Sequence, residues 1–406
     1  MELTRNQMTT APKINVIIPT RERCDVLEKS LRTVTAQNYD NLEIIVSDNF
    51  SSDDTADVVR RANDRRIRYI NTGKRLSMSH NWEFALSHVE DGWVTFIGDD
   101  DGLLPSSLSG LADIISGTDV DAVRSSCCTY VWPHVSGHEN GELIVPMESG
   151  IEMRDSSRWQ RKVLRGVEKY TQLPMIYNGG FIRLSVLNQI REKTGTYFGS
   201  CIPDVYSAMA ISSVIDRYVY SHAPLAISGT SKHSTGHSVY SVSSGRNPSP
   251  GLKFYSEGNI AFHADLPLYS DGSQPVSLQA LVYESYLQSS ILRPMASNTD
   301  HAQQLAIILA MSGAHRESIE EWGGMFAQMH GLDFDAVKRS ASLKRIFLPS
   351  LAAAKKLGNA VNSIITDKLP IKDIFEASIA SSVIRSSKGR RDTMRYLATR
   401  LIRHGG

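Results

Sequence analysis

Short apolar segments alternate with amphipathic helical segments over the first 125 residues, and this alternation restricts the chain to few folds. Four segments have the length and the β-branched content of buried strands. They are residues 14–19 (INVIIP), 42–47 (LEIIVS), 66–70 (RIRYI) and 92–97 (GWVTFI), and a further strand is predicted at 119–123. Strands that alternate with helices at this spacing predict βαβ units. The expected fold class is therefore α/β, with a mostly parallel sheet flanked by helices.

Polar residues follow each of the four strands at the point where the strand ends. Pro19 ends the first strand, and Thr20 and Arg21 follow it. Asp48 and Asn49 come after the second strand, Lys74 and Arg75 after the third, and Asp99, Asp100 and Asp101 after the fourth. In open α/β sheets, ligands bind beside the carboxyl ends of the strands. We therefore expect these groups to form one binding site.

Three consecutive carboxylates, Asp99, Asp100 and Asp101, stand between the fourth strand and a helix that Pro105 is expected to open. Adjacent carboxylates repel one another, and a hard cation such as Mg²⁺ or Mn²⁺ relieves that repulsion while it binds substrate phosphates. The other interpretation is a solvated acidic turn before the helix. The position directly after a buried strand favours the metal interpretation.

The residues after the second and third strands fit a nucleotide. Asp48 can accept a hydrogen bond from the ring N–H of a pyrimidine, or can instead form an Asx-turn with the residues that follow it. Lys74 and Arg75 can neutralise a diphosphate, or can be ordinary surface charges. Both pairs of interpretations remain open at this level.

Four segments occur in order at the strand ends: VIIPTRER (16–23), IIVSDNFSSDDT (44–55), NTGKRLSMSHNWEFAL (71–86) and FIGDDDGLLP (96–105). Together they resemble glycosyltransferase family 2, whose members have the Rossmann-like nucleotide-diphospho-sugar transferase (GT-A) fold. The resemblance implies that Thr20 and Arg21 lie beside the nucleoside, Asp48 contacts the base and Asp99 contacts the ribose. It implies that Asp100 and Asp101 serve a divalent metal and the diphosphate. The chain departs from the family in its three continuous aspartates and in SDNF (47–50), where DDG is commoner.

The same resemblance implies a catalytic base about a hundred residues after the metal motif, just before a helix. Asp204 in GSCIPDVYSAMA fits that position, with Glu192 and Asp216 as rivals. Asp204 can alternatively act as a helix cap after Pro203. A late histidine can complete the metal shell in this fold, and His233 in KHSTGH is the candidate for that role.

The later chain has a looser pattern, and we divide the sequence into three parts. Residues 1–125 form the nucleotide-sugar half, 126–260 the acceptor half with a flexible loop at 228–251, and 261–406 a helical region with a basic tail. Residues 351–406 hold 11 Lys and Arg against 4 Asp and Glu, whereas the net charge of the whole chain is only +1. This tail predicts peripheral contact with an anionic membrane surface, or a solvated helical tail.

Other features exclude several classes of protein. Neither GxGxxG after the first strand nor a Walker loop is present, which disfavours dinucleotide oxidoreductases and P-loop proteins. The near-zero net charge gives no field for nucleic acid. Four cysteines without zinc spacing, no signal peptide and no apolar stretch of membrane-spanning length predict a cytoplasmic protein, at most peripheral at the inner membrane face.

The expected function is that of an inverting glycosyltransferase with a divalent metal. It would move a sugar from a nucleoside diphosphate, most simply UDP, to a hydroxyl of a glycan or lipid-linked glycan in bacterial surface polysaccharide synthesis. A nucleotidyltransferase would share the sheet and the metal, but PTRERCD (19–25) is not the Gly-rich loop it needs. A non-catalytic glycan- or nucleotide-binding protein on this fold is the third hypothesis.

Overall fold

Four parallel strands form the part of the sheet that the sequence predicts. The computed structural model describes residues 11–133, 135, 141–234, 258–294, 300–361, 363–366 and 369–386, with the backbone alone over 349–361. The four strands are β1 (Ile14–Thr20), β2 (Leu42–Asp48), β3 (Ile67–Asn71) and β4 (Trp93–Phe96). β1 lies between β2 and β4, and β3 pairs with the other edge of β2. Residues 14–18 of β1 are fully buried, as expected for a parallel strand covered on both faces.

The helices between these strands cover both faces of the sheet. They are α1 (Cys24–Thr35), α2 (Thr55–Ala62), α3 (Met78–Leu86) and α4 (Ser107–Gly117). Leu27 and Leu31 of α1 belong to the apolar cluster on one face, and Trp82 of α3 belongs to the cluster on the other. The helix expected at Pro105 starts two residues later, because Ser106 adopts a left-handed conformation with φ of 63°.

Seven more strands extend the sheet. They are β5 (Gly102–Leu103), β6 (Ala122–Val131), β7 (Glu142–Pro146), β8 (Ile151–Asp155), β9 (Gly180–Arg183), β10 (Arg217–Thr230) and β11 (Ser363–Thr366). The strand order is β11-β7-β6-β9-β4-β1-β2-β3, and β10 lies along the other edge of β6 and also pairs with β5 and β8. β10 is parallel to β6, whereas β9 joins β4 and β6 by antiparallel pairs.

β10 was not expected from the sequence, although it is the longest of these strands. Its register against β6 shifts between Ser221 and Ala226, and Pro224 lies within that shift. A proline cannot donate to a strand ladder, so a bulge is where a paired strand tolerates it. The loop predicted at residues 228–251 begins within β10, which contains residues 228–230. The part of that loop from residue 235 lies outside the described residues.

Helices form the rest of the structure. They are α5 (Ser156–Leu164), α6 (Leu184–Thr194), α7 (Pro203–Val214), α8 (Leu278–Gln288), α9 (His301–Ala310), α10 (Arg316–Met329), α11 (Phe334–Val361) and α12 (Ile374–Ser386). α8 to α11 share an apolar core around Trp322 and Phe326. α8 connects this core to the sheet, since Val282 packs with Val205 and Met209 of α7.

The end of the described chain returns to the sheet. β11 pairs with β7, and Ile374 and Ile384 of α12 belong to an apolar cluster with residues of β6, β7 and β10. The predicted fold class is confirmed: a large sheet flanked by helices is followed by a helical region. The three-part division stays a prediction, and most of the basic tail lies outside the described residues. Within the described part of the chain, no helix combines the length and the apolar character that crossing a membrane requires.

Candidate functional site

Asp99 is buried at the end of β4, where the loop after β1 supplies two donors to its carboxylate. Thr20 Oγ1 donates to Oδ2 at 2.9 Å, and Arg23 Nη1 donates to Oδ1 at 2.9 Å. Burial raises the pKa of Asp99, and the positive charge of Arg23 opposes that rise. The structure thus brings Thr20 and Asp99, predicted from two different strand ends, into direct contact.

Asp100 has its two carboxylate oxygens in different environments. Oδ2 accepts from Ser231 Oγ and Ser234 Oγ, both at 2.6 Å, and from the Ser231 backbone N–H at 3.3 Å. Among the residues that the structure describes, no protein donor reaches Oδ1. Asp100 is therefore the member of the triplet with an oxygen available to a ligand, although its side chain is almost completely buried.

Asp101 is fully used by the protein. Its Oδ2 accepts from the Gly98 N–H at 2.8 Å and from Tyr177 Oη at 2.5 Å, and its Oδ1 accepts from the Gly229 N–H at 2.7 Å. Burial raises the pKa of Asp101 to about 7, and the charge of Asp100 adds to that rise. These contacts tie the end of β4 to β10 and hold the turn that carries Asp100. The metal role of Asp101 stays a prediction.

Two glycines make this close packing possible. A Cβ at residue 98 would lie 2.6 Å from Asp101 Oδ2, and one at residue 229 would lie 1.8 Å from the carbonyl oxygen of Asp100. Both distances are shorter than van der Waals contact allows. Gly98 and Gly229 are therefore required by the approach of β10 to the acidic triplet.

The donor set suits a divalent metal that is shared with a substrate. No group of three or more His, Cys, Asp or Glu side chains is arranged to hold a metal within the described ranges. Mg²⁺ at nucleotide sites is usually held by one or two carboxylates together with substrate phosphates and water. One available oxygen on Asp100 fits that pattern, whereas a site made wholly of protein ligands does not.

Asp48 and Asn49 organise the loops after β2 and β3. Asp48 Oδ1 accepts from the Ser51 N–H at 2.9 Å, which is the Asx-turn that the sequence allows, and its Oδ2 accepts from Tyr69 Oη at 2.5 Å and Asn71 Nδ2 at 3.0 Å. The amide of Asn49 donates to the Leu76 carbonyl at 2.7 Å and accepts from the Leu76 N–H at 2.8 Å. The contact of Asp48 with a base stays a prediction.

The remaining predicted nucleotide residues lie around these loops. Lys74 and Arg75 are exposed in the loop that Asn49 clamps, and Pro19 and Arg21 are partly exposed after β1. The loops after β1 and β2 are joined by Glu22, whose carboxylate accepts from the Ser52 N–H at 2.8 Å. All four strand ends therefore meet in one polar region, as the sequence predicts.

Asp204 lies in the first turn of α7 and is partly buried. It accepts from Tyr170 Oη at 2.9 Å, and burial raises its pKa. The pKa of Tyr177 is raised well above its ordinary value by burial and then by the charges of Asp101, Asp100 and Asp204. Tyr170, which donates to Asp204, and Tyr177, which donates to Asp101, pack against the same apolar cluster, and that cluster includes Val205 next to Asp204.

The two rivals of Asp204 lie elsewhere. Glu192 is exposed in the last turn of α6. Asp216 is exposed just before β10, and β10 runs parallel to β6, so Asp216 lies at the edge opposite the carboxyl ends. Of the three carboxylates, Asp204 is the one that is partly buried, and its role as the base stays a prediction.

His233 belongs to a segment that crosses the start of α1. The Nε2 of His233 is 3.2 Å from Asp25 Oδ2, and Lys232 Nζ is 3.1 Å from the same oxygen. The carbonyl oxygen of His233 accepts from Arg23 Nη2 at 2.5 Å. The imidazole thus faces Asp25, and the serines on either side of it contact Asp100. The metal role of His233 stays a prediction, and the neighbouring His237 lies outside the described residues.

Four residues of the site escaped prediction in these roles: Arg23, Tyr177, Ser231 and Ser234. Arg23 stands two residues from Arg21 in TRER, and nothing in that spacing tells which arginine turns inward. No motif around Tyr177 marks it as a donor to Asp101. Ser231 and Ser234 are more than a hundred positions away from Asp100 in the sequence, so only the folded chain reveals their contacts.

Comparison with known proteins gives a family. Residues 15–164 match Glycosyl transferase family 2. A Campylobacter jejuni GalNAc(5)-diNAcBac-PP-undecaprenol beta-1,3-glucosyltransferase is 42% identical over 103 residues, which are 25% of this chain and 33% of that protein. A Streptomyces hygroscopicus validoxylamine A glucosyltransferase is 38% identical over 161 residues, 37% of each chain. The matched segments thus span about a third of these relatives' length.

A solved structure, that of Staphylococcus aureus TarS residues 1–349 with UDP-GlcNAc, is 16% identical to this chain. The superposition has a TM-score of 0.49 and covers 85% of this chain and 92% of TarS 1–349. The family match includes β1 to β4 and the whole acidic triplet. Residues 15–164 are thus a domain that matches glycosyltransferase family 2.

Proposed function

We propose that this protein is an inverting glycosyltransferase that moves a sugar from a UDP-sugar to a hydroxyl of a lipid-linked glycan. The observation that carries the proposal is an available carboxylate oxygen on Asp100, together with a second carboxylate, Asp204, whose partner Tyr170 packs against the same apolar cluster as Tyr177. Sugar transfer needs these two elements: a place for the diphosphate and a base for the acceptor.

Binding of the donor rests on the strand ends. Asp99, held by Thr20 and Arg23, would present its carboxylate edge to the ribose, and Asp48 would face the base. Lys74 and Arg75, on the exposed loop that Asn49 clamps, would meet the diphosphate. Asp100, with His233 as a predicted partner, would hold Mn²⁺ or Mg²⁺. When bound, the cation would neutralise charge on the diphosphate as it leaves.

Transfer itself needs one proton to be removed. The acceptor hydroxyl oxygen attacks the anomeric carbon, the bond from that carbon to the phosphate oxygen breaks, and the nucleoside diphosphate departs. Asp204 accepts the hydroxyl proton as the new bond forms. Because burial raises its pKa, Asp204 is a stronger base than an exposed aspartate, provided that the pH keeps it ionised.

The acceptor and its setting are inferred from relatives. Two relatives have names that specify undecaprenol-linked diphosphate acceptors. One is the Campylobacter jejuni enzyme, and the other is a 26% identical Escherichia coli enzyme named UDP-Glc:alpha-D-GlcNAc-diphosphoundecaprenol beta-1,3-glucosyltransferase WfaP. Such acceptors are held in a membrane. Work on a bacterial surface polysaccharide, from the cytoplasm and at the inner membrane face, is therefore the setting that we propose.

A donor panel tests this function. The full chain would be incubated with UDP-, GDP- and dTDP-sugars, each with Mn²⁺, with Mg²⁺ and with a chelator, and released nucleoside diphosphate would be measured. We expect release from a UDP-sugar that depends on metal and rises with an undecaprenyl-diphosphate glycan. Formation of a nucleotide-sugar from a sugar phosphate and nucleoside triphosphate would instead indicate a nucleotidyltransferase. Metal-dependent donor binding without transfer to any such acceptor would favour a non-catalytic module.

A further inference from the structure

An exposed apolar row lies on the outer side of α11. Leu343, Ile346 and Phe347 have 62%, 65% and 65% of their surface exposed. They are spaced i, i+3 and i+4, so they lie next to one another on one side of the helix. Three adjacent large apolar side chains in water are costly, and such a group usually marks a contact surface.

The inner side of the same helix is already packed. Val337, Ala341 and Leu348 are buried, the first two in the apolar core around Trp322 and the third against Ile307 and Ala310 of α9. Arg345 Nη2 also donates to the Leu309 carbonyl oxygen at 3.0 Å. The outer row is therefore not the face that holds α11 to the protein.

The charge of α11 indicates what its outer row contacts. Over residues 334–348 the helix contains four basic residues, Lys338, Arg339, Lys344 and Arg345, and one acidic residue, Asp335. Arg339 is exposed one turn before Leu343, and Lys344 adjoins the row. Basic side chains around an apolar row are the pattern of helices that lie in the interface of an anionic bilayer.

We infer that the row formed by Leu343, Ile346 and Phe347 inserts into an anionic lipid surface, with Arg339 and Lys344 on the lipid headgroups. A second copy of the chain is the other conceivable occupant. Pairing of two such helices would bring Arg339 and Lys344 of both copies together, which like-charge repulsion opposes. The anionic bilayer satisfies both the apolar row and its charge.

This inference rests on the proposed function only for the reason why the protein would bind a membrane, since a lipid-linked acceptor would require the enzyme there. The surface itself stands on exposure and charge. The measured quantities can therefore separate the two: vesicle binding reports on α11, and metal-dependent UDP-sugar binding reports on the site around Asp100.

The experiment is vesicle flotation of the full chain. Vesicles of phosphatidylcholine alone would be compared with vesicles that also contain phosphatidylglycerol. The test variant Leu343→Gln/Phe347→Gln keeps every charge and uses a good helix former. Its matched control, Ile291→Gln/Met329→Gln, changes two apolar residues that are 65% and 50% exposed elsewhere. A charge variant, Arg339→Gln/Lys344→Gln, tests the headgroup contact, and thermal unfolding checks that each variant folds.

We expect wild type and control to float with the anionic vesicles only. The apolar variant should lose at least about tenfold in partition coefficient, since two large side chains no longer insert. The partition coefficient of the charge variant should fall several-fold at low salt.

Equal flotation of wild type and apolar variant would overturn the inference, as would no flotation of wild type. A change in oligomeric state of the apolar variant, without wild-type flotation, would assign the row to a second copy. Flotation without donor binding would leave the surface standing and remove the proposed function.

Discussion

The polar site and the helical region of this protein are built from opposite materials. Around Asp99, Asp100 and Asp101 the buried groups are charged, and donors from distant loops hold them. Around Trp322 the buried groups are large and apolar, and α8 to α11 supply them. Buried charge is costly unless it is well partnered, whereas apolar burial is favourable by itself. The comparison teaches that activity and stability should respond to different residues.

Asp204→Asn should give the largest effect and should act on activity alone. The amide keeps the shape and can still accept from Tyr170, but it cannot take a proton. We expect turnover to fall by roughly 10²- to 10⁴-fold. Because activity requires the ionised carboxylate, wild-type turnover should decline as the pH falls through the raised pKa of Asp204, and this dependence should vanish in the variant's residual activity.

Steady-state kinetics over a pH series would measure both effects, with donor affinity determined separately. Asp216→Asn is the matched control, because this exposed aspartate lies at the other edge of the sheet. Normal turnover of Asp204→Asn would move the base to another residue.

Trp322→Ala should show the reverse, a loss of stability with an unchanged donor site. Trp322 is fully buried, and its Nε1 donates to the Pro267 carbonyl oxygen at 2.7 Å. Removal of so large a buried side chain costs about 3–5 kcal/mol of unfolding free energy. Denaturant unfolding would measure it, and Trp322→Phe should cost less. Loss of UDP-sugar binding by variant protein that is still folded would break the separation between the two regions.

Glu284 should make the stability of the protein depend on pH at the junction between the two regions. Its side chain on α8 is fully buried, accepts from Ser200 Oγ at 2.5 Å, and has a pKa raised by burial from 4.5 to about 7. A folded-state pKa above the unfolded one means that the folded state favours the protonated form. Stability from this group is thus complete below pH 4.5 and is lost as the pH rises towards 7, by up to about 3 kcal/mol.

Denaturant unfolding of wild type and Glu284→Gln between pH 4.5 and 8 would test this, with the exposed Glu317→Gln as control. The glutamine variant should be less pH-dependent over that range and more stable than wild type near pH 8. An identical pH profile for the two proteins would contradict the assignment.

Asn49→Ala should give the smallest of these effects and should touch both properties slightly. The variant leaves the Leu76 N–H and carbonyl without their side-chain partner, which should cost about 2 kcal/mol of stability. The loop with Lys74 and Arg75 would loosen, so donor affinity should weaken several-fold. Asn49→Asp keeps the acceptor oxygen, so its stability in denaturant unfolding and its affinity in donor titration should lie between those of wild type and Asn49→Ala. An unchanged donor affinity would show that this loop does not contact the donor.

Much of the sheet around the site could be predicted because its strands are short, buried and locally patterned. Residues 14–19 and 42–47 correspond to β1 and β2 to within one residue at their ends. The strand-end rule then located the polar region without knowledge of any contact. β10 could not be predicted, since Pro224 and the register shift interrupt its pattern.

The hydrogen-bond partners of the carboxylates in the site could not be predicted from the sequence. That three aspartates are adjacent says nothing about which keeps an available oxygen, because this depends on Ser231, Ser234 and Gly229 returning on β10 and the segment after it. The environment of Asp204 likewise depends on Tyr170 and Tyr177, which come from separate segments. Spacing predicts where ligands gather, and long-range contacts decide the role of each residue.

The most direct test of the donor site is isothermal titration of the full chain with UDP-sugar in the presence of Mn²⁺, for wild type, Asp100→Asn and the exposed control Asp113→Asn. We predict that wild type and Asp113→Asn bind with the same metal-dependent affinity, and that Asp100→Asn loses at least about 100-fold, since an amide is a poor ligand for a hard cation. Equal affinity of Asp100→Asn and wild type would contradict the assignment of Asp100 as the residue that joins the metal to the diphosphate.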